Sequence, residues 1–264
     1  MQFPDIDPVF LRLGPLEFRW YGLMYVLSFA AGYFIILREA KRRNLLLSHE
    51  DIADLVFAVA IGVILGGRTG YILFYNLSEY IAHPLKIFAV WEGGMSFHGG
   101  LIGAILGGYW FVRKKQIAPM LLADICFMTA PVGLCLGRIG NFINGELYGR
   151  VTEMPWGVVF PGPYAGILPR HPSQLYEAIL EGPVMFLILW ALGRKERPNG
   201  VIFGSFVALY GLFRFLVEFF REPDIQLGFI LGGFSMGQLL SLPMAVAGVL
   251  MVLSFYKLGK TGKE

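Results

Sequence analysis

The sequence predicts an all-α, polytopic membrane bundle of about seven transmembrane helices with a small irregular cap on its outer face. Composition is the first reason, because 56% of the residues are hydrophobic and only 16% are charged, whereas about 25% of a soluble domain is charged. The second is that the apolar residues form seven runs near the length that crosses a bilayer, about 20 residues. The third is that basic residues follow alternate runs. We therefore expect residues 1–264 to form a single integral membrane domain.

The seven apolar runs are predicted to be helices, because unpaired backbone groups are costly in lipid and a helix pairs them all within one segment. The third run is short and the fifth contains two glutamates, so both depart from the ideal pattern. The predicted helices cover residues 20–37, 55–74, 97–112, 120–136, 175–192, 201–219 and 235–256.

Basic residues predict the orientation of these helices. With the N-terminus outside, thirteen Lys and Arg residues fall in the inner segments and seven in the outer ones. The positive-inside rule therefore predicts an outer N-terminus and an inner C-terminus. The net charge of +3 follows from this topology and does not indicate nucleic acid binding. Residues 1–19 have no basic n-region, so we expect no cleavable signal peptide.

The outer connections are predicted to be the longer ones. They span residues 75–96 and 137–174, whereas the inner loops are short. The second outer connection is rich in Pro and Gly, which favours an ordered irregular cap over a helix. This asymmetry indicates that the outer face carries the function.

The two cysteines are predicted to be packing residues. Cys126 and Cys135 are nine positions apart, so at about 100° per residue they point to opposite helix faces and cannot pair. No His, Cys or carboxylate set has metal-ligand spacing, and we expect no metal and no cofactor. Common hydrolase, phosphate-loop and zinc-protease motifs are absent from the sequence.

Glycines recur at every fourth position on the second and third predicted helices. They are Gly62, Gly66 and Gly70, and then Gly99, Gly103 and Gly107. Such ladders let two helix backbones approach closely. Close packing of these two helices would bring Arg68 near the His98 end of its neighbour.

Polar and ionisable residues gather towards the outer ends of the predicted helices. Residues of this kind are costly inside a membrane and usually functional, and the planar fork of arginine suits phosphate and carboxylate groups. The pattern predicts a protein that handles an anionic lipid or solute at the outer leaflet, as an enzyme, a transporter or a receptor. The residues concerned are Tyr21, Arg68, His98, Arg138, His171, Glu177, Tyr210, Arg214, Glu218 and Arg221.

Several of these residues also have a purely structural interpretation. Arg68 can reach the outer headgroups, as long side chains near helix ends do. Arg214 and Glu218 are four positions apart and can form a simple ion pair. Arg221 can meet lipid phosphates at the interface, and His171 can anchor a loop.

His98 has both a structural and a chemical interpretation. A lone histidine is commonly structural, but Gly99 and Gly100 follow it directly. The absence of side chains on these neighbours leaves room for a substrate beside the imidazole ring, which favours a chemical role.

The stretch "GRIGNFINGELYGR" (137–150) places arginines, asparagines, a glutamate and four glycines directly after an apolar run. It resembles the signature of the bacterial prolipoprotein diacylglyceryl transferases. Further similar segments occur in order along nearly the whole chain. They are "RWYGLMY", "GGRTGYILFYN", "VWEGGMSFHGGLIG", "LPRHPSQLYEAILEG", "YGLFRFLVEFFREPD" and "SMGQLLSLPM". Tyr148 is a mild departure, since some members have Trp there.

The resemblance implies an enzyme of the bacterial inner membrane. The family moves a diacylglyceryl group from phosphatidylglycerol to the thiol of a lipobox cysteine in a prolipoprotein signal peptide, forms a thioether and releases glycerol phosphate. A base near the thiol would help to form the thiolate, and cations would stabilise the leaving phosphate. The active site would face the periplasm, with the N-terminus there and the C-terminus in the cytoplasm.

The resemblance also implies roles for individual residues. Arg138 would hold the lipid phosphate, Asn141 and Asn144 would hydrogen-bond the headgroup or each other, and Glu146 would brace an arginine. Loop scaffolding remains the alternative for Asn144 and Glu146. The candidate catalytic residues are His98, Arg138, Arg214, Tyr21 and Tyr210, and the candidate substrate-binding residues are Arg138, Asn141, Asn144, Glu146, Arg68, Glu218, Arg221, His171 and Gly99.

The rival hypothesis is a transporter or flippase of an anionic lipid or solute. Such proteins often have inverted repeats, broken helices and a binding site at the membrane midplane. The sequence has no visible repeat, and its polar residues gather on one side of the membrane.

Overall fold

The computed structural model of the chain describes residues 1–14, 16–89, 93–162, 165–223, 228–230 and 233–261. Parts of two motifs quoted above, at 90–92 and 224, lie outside the described residues, as do residues 163–164 of the second outer connection and Lys263 from the charge count.

Helices dominate the described chain, as the sequence predicts. The α-helices are α1 (Trp20–Arg42), α2 (His49–Tyr75), α3 (Leu77–Ala82), α4 (Phe97–Lys115), α5 (Pro119–Phe127), α6 (Ala130–Ile143), α7 (Ser173–Ile179), α8 (Met185–Gly193), α9 (Val201–Val217) and α10 (Met236–Thr261). A 3₁₀ helix covers Pro84–Phe88, and a π-helix, Leu180–Val184, joins α7 to α8.

Among the described residues, five helical segments are long and apolar enough to cross a membrane. They are Trp20–Arg42, His49–Tyr75, Pro119–Ile143, Ser173–Gly193 and Met236–Gly259. Val201–Val217 is apolar but shorter, and Phe97–Lys115 is not among the five. The protein is therefore a multi-pass membrane protein, and all seven predicted runs are helical over most of their length.

The structure departs from the all-α prediction by containing two short β-hairpins. The segments β1 (Val9–Leu13) and β2 (Leu16–Arg19) form an antiparallel hairpin before α1, and β3 (Phe229–Ile230) pairs with β4 (Phe234–Ser235) before α10. In the first hairpin, Leu11 lies opposite Phe18 and Arg12 opposite Glu17. This alternation of apolar and charged pairs is the two-residue period of a β-strand, and the sequence-based prediction of an all-α protein did not include it.

The chain divides into two compact units, and the single-domain expectation stays a prediction. One unit comprises Met1–Ile35 and Ala123–Glu264, and the other comprises Ile36–Leu122. Helices α2 and α4 form the smaller unit, while α6 to α10 belong to the larger.

The close packing of α2 and α4 is confirmed. A Cβ atom added to Gly103 would lie 1.8 Å from the carbonyl oxygen of Gly62, and one added to Gly66 would lie 2.2 Å from that of Gly99. Only glycine therefore allows the two backbones to meet at these positions.

The core of the larger unit is an apolar cluster of side chains from α8, α9 and the turn before α6. Met185 and Leu189 of α8 are fully buried there, beside Ile202 and Phe206 of α9. Between α7 and α8 the chain leaves ideal helical geometry, because Pro183 lies inside the segment and Gly182 has φ −95° and ψ −109°. Proline lacks the N–H that continues an α-helix, and π-helical turns occur often at functional sites.

Helix α6 extends further than the sequence predicts. It continues to Ile143, so residues 137–143 are helical and Arg138 lies inside the helix, where a loop was expected to begin. Gly140 lets Tyr21 pack closely against this part of the helix, because a Cβ there would lie 2.7 Å from the ring of Tyr21. Beyond it, isolated bridges and a small core of Val158, Phe160 and Ala165 give the irregular structure expected of the cap.

Candidate active site

The larger unit contains a cluster of three arginines and three glutamates from α6, the α7–π-helix segment, α9 and the residues after it. Glu177 lies at its centre and is fully buried. Its Oε1 is 3.1 Å from Nη1 of Arg214 and 3.1 Å from Nη1 of Arg221. Its Oε2 contacts Nε of Arg138. One carboxylate thus joins three guanidinium groups that would otherwise repel each other.

Arg138 contacts the carboxylates of Glu177 and Glu181 through its Nε. Nε lies 3.6 Å from Oε2 of Glu181. Among the residues that the structure describes, the two terminal nitrogens of Arg138 have no hydrogen-bond partner, and its side chain retains 16% exposure. Four N–H donors in a fork are therefore available to an anion.

Arg214 is held from two sides. Its Nη2 is 3.0 Å from Oε2 of Glu218, which lies one helical turn further along α9. Oε1 of Glu218 also accepts a 3.0 Å hydrogen bond from Ser235. The ion pair expected from the four-residue spacing is confirmed, and Glu218 orients the Arg214 guanidinium. Arg221 points inward to Glu177, although its position at the end of α9 also allowed contact with lipid phosphates.

The two asparagines of the stretch 137–150 share one acceptor, and their expected bonds to the headgroup stay a prediction. Asn141 and Asn144 both donate to Oε1 of Glu146, over 2.9 and 3.1 Å. The expectation that Glu146 braces an arginine is not met among the described residues. Glu146 reaches both amides because the turn after α6 folds back on the helix end, where the Glu146 N–H donates to the carbonyl of Asn141 over 3.1 Å.

The last residues of the motif fix the end of α9. Arg150 donates through Nε to the carbonyl of Arg221 over 2.8 Å and through Nη2 to that of Glu218 over 3.1 Å. A Cβ on Gly149 would lie 2.3 Å from the carbonyl oxygen of Phe220. This segment therefore holds Arg221 in position to reach Glu177.

His171 occupies the position of a loop anchor. Its Nδ1 lies 3.0 Å from the hydroxyl of Tyr176, and its ring packs against Phe220. Its backbone carbonyl accepts a hydrogen bond from Gly149. Burial lowers the pKa of His171 below its usual value, so the imidazole is neutral at neutral pH.

The two candidate tyrosines lie in the same unit. Tyr21 packs against Gly140 of α6 and against the ring of Tyr25, at 5.4 Å. Tyr210 stacks on Phe206 at the edge of the apolar core, and its hydroxyl interacts electrostatically with Glu181 and Arg138.

Arg68, His98 and Gly99 belong to the smaller unit. The guanidinium of Arg68 is buried and donates to five backbone carbonyls, those of Lys86, Ile87, Ala89, Gly93 and Gly94. All five N–H groups are thereby used. This geometry favours a role in ordering the connection between α2 and α4, and direct substrate binding by Arg68 stays a prediction.

His98 lies exposed in the first turn of α4. Ser96 caps this helix by accepting a 3.2 Å hydrogen bond from the N–H of Gly99. Both His98 and Gly99 line an apolar groove of about 770 Å³ between α2 and α4. The position leaves the imidazole accessible, as the glycine-flanked sequence predicts.

Glu181 is the member of this cluster that the sequence did not single out, whereas Glu177 was expected among the polar residues near the outer face but without a catalytic or binding role. The signal was present, because two glutamates four positions apart interrupt an apolar run. In the predicted fifth helix, both glutamates depart from the ideal apolar pattern. Ionisable residues inside membrane segments are usually functional, and the principle that selected Glu177 applies equally to Glu181.

Comparison with known proteins gives the family. The sequence profile of the family described as prolipoprotein diacylglyceryl transferase matches residues 8–254. The chain belongs to this family. A protein of Geobacter sulfurreducens named phosphatidylglycerol–prolipoprotein diacylglyceryl transferase is 70% identical over 253 residues, 96% of each chain.

Relatives with the same name occur in two further bacteria. The Vibrio cholerae protein is 53% identical over 260 residues, 98% of this chain and 95% of its own. The Pseudomonas aeruginosa protein is 51% identical over 258 residues, 97% of this chain and 96% of its own. The protein is therefore a membrane transferase of the prolipoprotein diacylglyceryl transferase family, and the resemblance seen in its motifs is confirmed.

Proposed function

We propose that the protein transfers the diacylglyceryl group of phosphatidylglycerol to the lipobox cysteine of prolipoproteins. The names of its relatives contain phosphatidylglycerol, prolipoprotein and the diacylglyceryl group. The thiolate sulfur attacks the glyceryl carbon, the carbon–oxygen bond to phosphate breaks, and glycerol phosphate leaves with the electron pair. The observation that carries this proposal is the arginine cluster in which Arg138 keeps its terminal nitrogens available.

The cluster is suited to the leaving group of this reaction. A phosphodiester at the fork of Arg138 would receive two parallel charge-assisted hydrogen bonds. Arg214 and Arg221 add positive charge within the same cluster, and they would stabilise the additional charge that develops on the phosphate as the carbon–oxygen bond breaks. Asn141, Asn144 and Glu146 would support the headgroup side of this site, with His171 fixing the cap above it.

Proton removal from the substrate thiol requires a base. His98 is accessible at the outer end of α4, and Tyr21 and Tyr210 are the alternatives. The groove beside His98 and Gly99 offers an apolar surface for lipid or signal-peptide chains. General-base help of this kind contributes typically ~10²–10⁴-fold to a rate.

We further propose seven spans, with the N-terminus in the periplasm, the C-terminus in the cytoplasm and the active site towards the periplasm. The basic inner segments support this orientation. The transporter alternative finds no support in the relatives, which are named as transferases.

A transfer assay tests the function directly. The purified protein would be incubated with phosphatidylglycerol and a synthetic lipobox peptide, and the peptide analysed by mass spectrometry. We expect the mass of one diacylglyceryl group on the cysteine, and no addition to a matched peptide with serine in its place. An unmodified cysteine peptide under conditions in which a characterised relative is active would contradict the proposal.

A further inference from the structure

Glu181 is the carboxylate of the arginine–glutamate cluster that accepts the fewest hydrogen bonds from the described residues. Its side chain is fully buried, and among the described residues neither carboxylate oxygen has a hydrogen-bond partner. Its contact with Nε of Arg138, at 3.6 Å, exceeds hydrogen-bond length. Buried carboxylates normally accept hydrogen bonds, because an ionised group without them is costly in an apolar interior.

The surroundings of Glu181 come from four elements. Helix α6 contributes Arg138 and, beside Gly182, Cys135. Helix α7 contributes Glu177, and α9 contributes Tyr210 and Arg214. Helix α8 contains no titratable residue. The non-helical backbone at Gly182 follows directly and distinguishes this turn from a regular α-helix.

Charge balance gives Glu181 a distinct position among the three glutamates. With Arg138, Arg214 and Arg221 opposed by Glu177, Glu181 and Glu218, the cluster is neutral when all six groups are ionised. A phosphodiester headgroup adds one negative charge. Glu177 accepts hydrogen bonds from two arginines, and Glu218 accepts one from Ser235. Glu181 accepts no such bond among the described residues. Protonation of Glu181 therefore breaks no hydrogen bond, whereas protonation of Glu177 or Glu218 would weaken existing ones.

We propose that Glu181 is a positioning residue for Arg138 that takes up one proton when the phosphodiester headgroup binds. This inference rests on the proposed function. In the free enzyme, ionised Glu181 and Glu177 draw Nε of Arg138 inward and leave its terminal nitrogens towards the ligand. On binding, a proton from the solvent buffer converts the Glu181 carboxylate to the acid. The charge of Arg138 is then directed to the phosphate, and the proton returns to solvent when glycerol phosphate leaves.

Proton uptake has a defined effect on affinity. Because the bound state holds one proton more than the free state, phosphatidylglycerol binding weakens as the pH rises, by up to about tenfold per pH unit. The phosphodiester itself keeps one negative charge across this range. A pH dependence of the affinity therefore reflects protonation of a group on the protein and not of the lipid.

The test is calorimetric titration of short-chain phosphatidylglycerol into the enzyme in phosphatidylcholine nanodiscs. Titrations in two buffers of different ionisation enthalpy give the number of protons taken up, between pH 6.5 and 9. We expect wild type to take up close to one proton per lipid and Glu181→Gln close to none, with nearly pH-independent affinity. Glu181→Asp keeps a carboxyl and should retain part of the uptake. Glu39→Gln, which removes a buried glutamate outside this cluster, should behave as wild type.

The outcomes separate this inference from the proposed function. Equal proton uptake by wild type and Glu181→Gln would overturn it, as would a loss of affinity in Glu181→Gln that is the same at every pH. The wild-type measurement needs no variant. If the wild-type enzyme transfers diacylglyceryl but takes up no proton on binding, the role of Glu181 is refuted and the proposed function is not. Absence of both binding and transfer would refute the proposed function and this inference with it.

Discussion

Oε1 of Glu177 lies 3.1 Å from Nη1 of Arg214, although 37 residues separate the two in sequence. The same oxygen lies 3.1 Å from Arg221, and the other carboxylate oxygen contacts Arg138. A single buried carboxylate thus ties α6, α7 and α9 together at the candidate active site.

The first prediction concerns this shared carboxylate. Glu177→Gln should lower both stability and transfer, because removing one partner of a buried ion pair typically costs about 3–5 kcal/mol. Thermal unfolding in detergent and the transfer assay measure the two effects. Glu222→Gln, which removes a half-exposed partner of Arg170, is the matched control and should cost less than about 1 kcal/mol. Equal melting temperatures for the two variants would contradict the central role of Glu177.

The second prediction concerns the phosphate fork. Arg138→Ala should nearly abolish transfer while the protein still inserts, and Arg138→Lys should be impaired because lysine keeps the charge but loses the two parallel donors. Arg214 should behave in the same way, with a milder loss for Glu218→Gln. Turnover is measured by mass spectrometry of the peptide, and insertion by membrane fractionation. Near-normal turnover by Arg138→Ala would remove this residue from the mechanism.

The third prediction distinguishes the two interpretations of His98. If the imidazole accepts the thiol proton, His98→Ala should be slower by roughly 10²–10⁴ with lipid binding retained. Alkaline buffer should then partly restore the rate, because more of the peptide thiol is already ionised. A variant that loses lipid binding and gains nothing at high pH would indicate a positioning role. Wild-type rates in His98→Gln at neutral pH would exclude both.

The fourth prediction concerns topology. In a variant without Cys126 and Cys135, single cysteines at positions 41, 114, 195 and 260 should be protected from an impermeant thiol reagent added to the outer face, because these positions lie in the basic inner segments. A cysteine at position 86, in the predicted outer connection, should be labelled. Labelling at any of the four inner positions from outside would overturn the proposed orientation.

The fifth prediction concerns the contact of α2 and α4. Gly103→Ala should lower the melting temperature, because the added Cβ would lie 1.8 Å from the carbonyl oxygen of Gly62. Gly108→Ala, on the same helix, meets nothing within 4 Å and should leave the melting temperature the same or slightly higher, because alanine favours a helix over glycine. A similar response of the two variants would indicate that the helices separate readily at this contact.

The glycine ladders illustrate how much of the fold could be predicted from sequence. Their four-residue period is a local property of the chain, and it correctly predicted that α2 and α4 pack closely. The Arg214–Glu218 pair was predictable for the same reason, since both residues lie on one face of one helix. The membrane class followed from composition and run length alone.

The partners of Arg138, Arg221 and Glu146 were not predictable in this way. Arg138 and Arg221 meet Glu177 only because α6, α7 and the end of α9 are brought together, and Arg150 holds that last segment through backbone carbonyls 68 and 71 positions away. Glu146 turns back to two asparagines because the chain reverses after Ile143.

The sequence by itself determined that this protein is a helical membrane transferase with arginines and other polar residues inside or at the ends of its apolar runs, because hydropathy, helical period and family motifs are encoded along the chain. Only the tertiary structure decided which charges meet. It assigned all five donors of Arg68 to backbone carbonyls, left the terminal nitrogens of Arg138 without a partner among the described residues, and buried Glu181 without hydrogen bonds there. The physical reason is that ion pairing and desolvation depend on distances of a few ångströms between distant segments, and those distances arise from helix packing.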